Sequence, residues 1–262
     1  MNTTRAALPL AAACLAACAV PAARASDEAS VSFSAGAEYS SGDYGGDSSV
    51  EETYLPLTAA VEFERLSVRV VVPTLVVRAP ELTVIDGGDG QPIVGEGPVA
   101  TTRGLGDVVL SATVYDVYAS PAGALALDLT GKVKFGTADE DSGLGTGAND
   151  YSLQADVFRF FDGFTLMGTL GYSLRGDPPG YELDDTPYAS LGGSWSWREG
   201  TSVGAFYDYR AAAYAGAPAS SELSGSITTA LGRHGRAECY VSTGLSDGSP
   251  DWSAGLSLRV AY

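Results

Sequence analysis

Hydrophobic and polar positions alternate along most of this chain with a period of two, the repeat of a β-strand whose side chains point to opposite faces. The last eleven residues show it most cleanly. Trp252, Ala254, Leu256, Leu258, Val260 and Tyr262 share one face; Ser253, Gly255, Ser257, Arg259 and Ala261 share the other. The same alternation recurs in segments 29–41, 53–63, 65–75, 105–118 and 124–136. It returns around 150–157 and 164–175, then in 187–197, 203–210, 220–231 and 236–246, so that the pattern predicts twelve strands. In 124–136, Leu125, Leu127, Leu129, Val133 and Phe135 oppose Asp128, Thr130, Lys132 and Lys134. No segment keeps a 3.6-residue apolar period, so almost no helix is expected beyond the leader.

The connections alternate in length. Short ones centre on Glu64, Ser120–Ala122, Asp162-Gly163, Arg198–Gly200 and Gly232–Gly235; longer ones span about 42–52, 76–104, 137–149, 176–186, 215–219 and 246–251. Tight turns at one end and long loops at the other are the mark of a transmembrane antiparallel up-and-down β-barrel. The expected fold is therefore all-β, a barrel of about twelve strands with an apolar outside and a polar lumen. Tyr39, Tyr54, Tyr118, Tyr172, Trp197, Tyr207, Tyr209, Trp252 and Tyr262 lie near strand ends, where they would form the interfacial aromatic girdles. A soluble β-sandwich would share the period but would place these residues in its core.

The first 25 residues read as an export signal. Arg5 supplies the positive start, an uncharged Ala/Leu-rich run follows, and Ala23-Arg24-Ala25 fits a cleavage site. Leu15-Ala16-Ala17-Cys18 also fits a lipoprotein signal acylated at Cys18, and mass spectrometry of the mature N-terminus separates the two. The expected division is thus 1–25 leader and 26–262 barrel. With Cys14 and Cys18 in the leader, Cys239 has no partner for a disulfide. Losing Arg5 and Arg24 leaves 13 basic against 32 acidic residues, a net charge of −19, which argues against a nucleic-acid partner. Expected partners are outer-membrane lipid and lipopolysaccharide, a small-molecule solute, and the barrel-assembly machinery through the C-terminal strand ending at Tyr262.

Catalysis finds no foothold. The sole histidine, His234, falls in a predicted periplasmic turn away from any lumen serine. Gly143, Gly145 and Gly147 do not open a helix as a phosphate loop would. Asp139, Asp141 and Asp150 resemble part of a calcium loop, but Leu144 stands where its glycine belongs. Asp43, Asp47, Asp86 and Asp89 read as solvated loop charge. No cofactor, no metal and no reaction are expected.

Inward charges carry more weight. Lys132, Lys134, Arg175 and Arg210 fall in the outer third of the lumen, with Glu38, Asp107, Asp208 and Glu222 at similar depth. Asp128 and Asp156 lie near mid-depth, and Glu62, Arg69, Glu238 and Arg259 toward the periplasm. Such charges can pair structurally or filter solutes. The selectivity candidates are Lys132, Lys134, Arg175 and Arg210, opposed by Asp107, Asp208 and Glu222. The small inward residues Gly192, Ser194, Gly204, Ser224, Ser226, Gly255 and Ser257 would leave room for water or cargo.

Three runs in the middle of the chain are more specific. Gly104-Leu105-Gly106-Asp107-Val108 opens a strand, Lys132-Val133-Lys134-Phe135-Gly136 closes the next, and Gly143-Leu144-Gly145-Thr146-Gly147-Ala148-Asn149-Asp150-Tyr151 follows. Over 104–157 this succession resembles the outer-membrane family named for a MetA pathway of phenol degradation. That family usually carries Pro and Thr-Gly after the lysine strand, where this chain has Phe135-Gly136-Thr137. The resemblance implies a transporter-like outer-membrane channel for small, hydrophobic or aromatic compounds. The competing expectations are a non-conducting structural or adhesive barrel and a secreted soluble β-sandwich.

Overall fold

A computed structural model describes residues 29–86, 91–178, 180 and 182–262. The expected leader 1–25, with Cys14 and Cys18, and the Gly87–Gly90 part of the expected turn lie outside the described residues. Thirteen strands pair in one antiparallel sheet that closes on itself. They are β1 (Ser30–Gly42), β2 (Val50–Glu62), β3 (Leu66–Pro80), β4 (Val99–Leu105), β5 (Val108–Ala119), β6 (Leu125–Phe135) and β7 (Asp150–Phe160). Then follow β8 (Phe164–Leu174), β9 (Thr186–Arg198), β10 (Thr201–Arg210), β11 (Ser220–Leu231), β12 (Gly235–Gly244) and β13 (Trp252–Ala261). Closure comes where β13 pairs with β1, from Ser32↔Ala261 to Ser41↔Trp252.

β4 and β5 form one interrupted stave, so the thirteen strands make the expected twelve staves. The inner end of β3 pairs with β5 and its outer end with β4. Between them Gly106 leaves the ladder to donate to the Pro73 carbonyl, 3.0 Å away. Asp107 caps two backbone groups across the gap, the N–H of Thr137 (2.9 Å) and of Ala138 (2.8 Å). The Gly-Leu-Gly-Asp run thus builds a bend in the wall.

The short connections gather at one end and the long ones at the other, as the alternation in length requires. Gly163, Gly200 and Gly232 adopt positive φ in three of the tight turns, a conformation that glycine reaches without steric cost. The second long loop is shorter than expected, because β3 continues to Pro80 and β4 begins at Val99. One 3-10 turn, Glu140–Ser142, interrupts the loop after β6 and ends on Gly143 in the left-handed region.

Every strand keeps the predicted facing. The exposed residues include Phe33, Leu57, Leu153, Leu170, Leu191, Val241 and Leu258, all on the outward register positions. The buried set is mostly polar: Thr130, Lys132, Lys134, Gln154, Asp156, Ser173, Thr228 and Ser253 point inward. This inverts a soluble protein, where apolar side chains fill the inside. A sandwich is thereby excluded. The girdle aromatics are on the outside except Tyr54, which is buried in the lumen on an inward position. Cys239 is free and faces outward.

Candidate functional site

The lumen is narrower than the sequence suggested, because inward glycines act as berths. A Cβ added at Gly255 would overlap the Tyr240 ring, one at Gly192 the Phe206 ring, and one at Gly171 the Tyr188 ring. Each glycine faces its aromatic across a strand pair: Gly255↔Tyr240, Gly192↔Phe206 and Gly171↔Tyr188. Gly192 and Gly255 therefore do not leave room for water or cargo. They accept a neighbouring ring that would otherwise have no place to lie.

The candidate charges all point inward but fall into two groups. In the first, Lys134 Nζ sits 2.9 Å from Asp86 Oδ1, 2.8 Å from Asp150 Oδ2 and 3.6 Å from Asp107 Oδ2. Arg175 pairs with the same Asp86 and lies 3.4 Å from Asp150. Thr146 and Thr186 accept from Lys134 and Arg175 at 3.1 and 3.2 Å. Three carboxylates and two cations thus share one buried knot. In the second group, Lys132 and Arg210 lie on Tyr188, 5.7 and 4.8 Å from the ring centroid. The Tyr188 hydroxyl donates to Gln154 (3.1 Å), whose amide donates to Asp156 (2.8 Å). Asp208 stands directly opposite Glu222, which accepts from Ser242 at 2.9 Å.

Asp86 corrects the reading of solvated loop charge. It is only 2 % exposed. It arrives from the loop between β3 and β4, which folds over the mouth. Ile85 donates to the Gly143 carbonyl (2.9 Å), and Ile85 packs with Val50, Tyr54, Leu75, Val77 and Leu144 in an apolar cluster. Farther along, Gln91 donates to the carbonyls of Pro218 (3.0 Å) and Gly248 (2.5 Å). Pro218 lies between β10 and β11; six staves separate that junction from the β3–β4 one in either direction. The described residues of this loop therefore reach from the β3–β4 junction to the opposite rim. Asp150, read as a fragment of a calcium loop, is instead a strand residue in the knot. Leu144 is buried in the apolar cluster, and no group of acidic, histidine or cysteine side chains converges at metal-binding spacing among the described residues.

Two other inward charges stabilise irregular backbone or pair. Asp128 accepts the N–H of Asp116 (2.8 Å), the positive-φ residue at a bulge in β5. Arg259 pairs with Glu62. His234 Nδ1 lies 3.0 Å from the Ala261 carbonyl in the β11–β12 turn.

A cavity of about 110 Å³ lies along β1, β2, β3, β12 and β13. Its lining includes Glu38, Tyr54, Pro56, Val71, Tyr240 and Arg259 from the lumen face, and Ala35, Ala37 and Leu256 from outward positions. The hydrogen-bond ladder of the wall is interrupted here, with the strands still in contact. β1 and β2 pair through Ala35↔Leu57, then resume in the same register at Glu38↔Tyr54, leaving Gly36 and Ala37 unpaired with Pro56 and Leu55. Proline has no N–H to offer the ladder. Sequence reasoning passed over Pro56, although a proline inside an alternating segment is a signal of a break.

A closed β-barrel with an apolar belt and a polar interior is an outer-membrane barrel. This chain belongs to the family described as "Putative MetA-pathway of phenol degradation", whose profile matches residues 64–258. The COG4313 outer membrane channel from Pseudomonas putida F1 is similar in structure, with TM-score 0.70 at 14 % identity over 91 % of this chain and 97 % of that one. The NanC porin shows TM-score 0.56 at 8 % identity over 87 % of this chain and 98 % of that one. The KdgM porin shows 0.53 at 7 % identity over 88 % of this chain and 99 % of that one. These likenesses establish the fold. No curated protein sequence matches significantly.

Proposed function

We propose that the barrel carries small apolar or aromatic molecules passively across the outer membrane. One observation carries the reading: the lumen cavity touches outward residues at the interruption beside Pro56, so an apolar solute can meet bore and bilayer in one place. Family membership and the likeness to outer membrane channels and porins support it. Lys132 and Arg210, opposed by Asp208 and Glu222, are the groups we assign to ion selectivity. Lys134, Arg175 and Asp107 enter only through the knot that holds the mouth loop. Lipid and lipopolysaccharide meet the outer belt, and the strand ending at Tyr262 is the segment offered to the assembly machinery.

The test is uptake of a labelled monoaromatic by cells with an intact lipopolysaccharide layer. Expression of the barrel should speed uptake, and Pro56→Thr, which restores a ladder donor, should slow it again. Uptake equal to that of cells lacking the barrel would overturn the reading. The loop across the mouth favours a second one, a non-conducting structural barrel. Planar bilayers separate them: the first predicts discrete conductance steps, the second none.

A further inference from the structure

The cavity holds two carboxylates whose hydrogen-bonding capacity is unmet. Glu38 is 9 % exposed and its Oε2 has no hydrogen-bond partner; Glu238 is 5 % exposed and its Oε1 has none. Both line the cavity. They project from β1 and β12 on either side of β13, where Glu38 stands opposite Gly255 and Glu238 opposite Ser257. The two levels are one inward step apart. Between them lies the Tyr240 ring on its Gly255 berth, with its hydroxyl turned toward Glu38 and Ser253. Tyr54, the register partner of Glu38 on β2, closes the other side.

Leaving a buried polar group without a donor costs about 1–3 kcal/mol, and more for a charge. Two such carboxylates lining one cavity suit a ligand rich in N–H. Further acidic groups gather above. In the β1–β2 loop the Tyr44 phenol is held above its usual pKa by burial and by the carboxylates of Glu52, Glu222 and Glu38. Arg236 lies beside Glu238, and Arg69 and Arg259 hold the periplasmic end, so the negative region is the outer part. A divalent cation does not fit, since no three ligating side chains converge among the described residues. The aromatic faces of Tyr54 and Tyr240 and the apolar Pro56 and Val71 suit an organic body, and aromatic rings attract alkylammonium groups through their faces.

We propose that this cavity binds an organic ammonium, its N–H groups donating to Glu38 and Glu238 while its apolar body lies between Tyr54 and Tyr240. The inference deepens the proposed function by naming a class of cargo, and rests on that reading only for the claim that the bound molecule passes through.

Isothermal titration of the detergent-solubilised, full-length barrel with phenethylammonium chloride tests it, with 2-phenylethanol as the neutral counterpart. Wild type should bind the ammonium and not the alcohol. Glu38→Gln and Glu238→Gln, each first checked for heat-modifiable migration, should each weaken binding at least tenfold. Absence of ammonium binding by wild type, equal binding of the alcohol, or binding unchanged in a folded Gln variant would overturn the site. Where one variant does not fold, the wild-type comparison and the other variant decide. Binding in the calorimeter with no uptake of monoaromatics by cells would uphold the site and overturn passage; uptake without ammonium binding would do the reverse.

Discussion

Replacing Lys134 by Met should unfasten the mouth of the barrel. Its Nζ lies 2.9 Å from Asp86, 2.8 Å from Asp150 and 3.6 Å from Asp107, and its side chain is almost wholly buried. At an effective dielectric of 20, each of the two close pairs carries a gross attraction of about 6 kcal/mol. Desolvation offsets most of that. What removal exposes is the imbalance: three carboxylates would face Arg175 alone. Breaking a buried pair by deleting one partner costs about 3–5 kcal/mol. With a denaturant slope of about 1–3 kcal/mol per molar, the urea midpoint in lipid vesicles should fall by about 1 M or more. Asp86→Asn in the same background should recover part of the loss, because it removes one of the stranded charges. The double-mutant cycle should give a coupling of about 0.5–3 kcal/mol. The same single variant should raise conductance in planar bilayers, because Asp86 anchors the loop spanning the mouth. An unchanged midpoint with zero coupling would show that the knot does not hold this loop.

The outward row was legible because the bilayer permits one arrangement: apolar side chains on lipid, polar ones in the bore. Leu125, Leu127 and Leu129 against Asp128 and Thr130 state that arrangement in a few residues. The resemblance carried by Gly104–Val108 and Lys132–Gly136 gave the family. Less legible was anything set by distance across the barrel. Asp86 sits in a loop rich in glycine and acid, and nothing local shows that it turns inward to meet Lys134 and Arg175. Nothing local marks Tyr188 or Tyr240 until the register brings each over a glycine on an adjacent strand. Gly255 read as open lumen for the same reason: its neighbour is known only once strands are paired. Tyr54 was placed at a strand end with the girdle aromatics, and its inward register position decides its environment. Pro56 was legible in principle and was missed.

Gly255→Leu should destabilise the barrel by about 1–3 kcal/mol, since the new side chain competes with the Tyr240 ring; Gly131→Ala, at a glycine with nothing within 4 Å of an added Cβ, should leave the urea midpoint nearly unchanged. Leu170→Arg, at an outward position of β8 that is 70 % exposed, should cost about 2–4 kcal/mol in vesicles of ordinary thickness. Lys132→Glu with Arg210→Glu should move the reversal potential in a potassium chloride gradient toward stronger cation preference; an unchanged potential would remove both from the filter.

The central claim is that lipid wets the outward row and water the inward one. Single cysteines placed in turn at positions 165 to 173 of β8, in a Cys239→Ser background, can carry an environment-sensitive fluorophore in reconstituted vesicles. Quenching by brominated acyl chains should be strong at Leu166, Gly168, Leu170 and Tyr172 and weak at Thr165, Met167, Thr169, Gly171 and Ser173. Quenching that does not alternate along the strand, or that alternates in the opposite phase, would contradict the account.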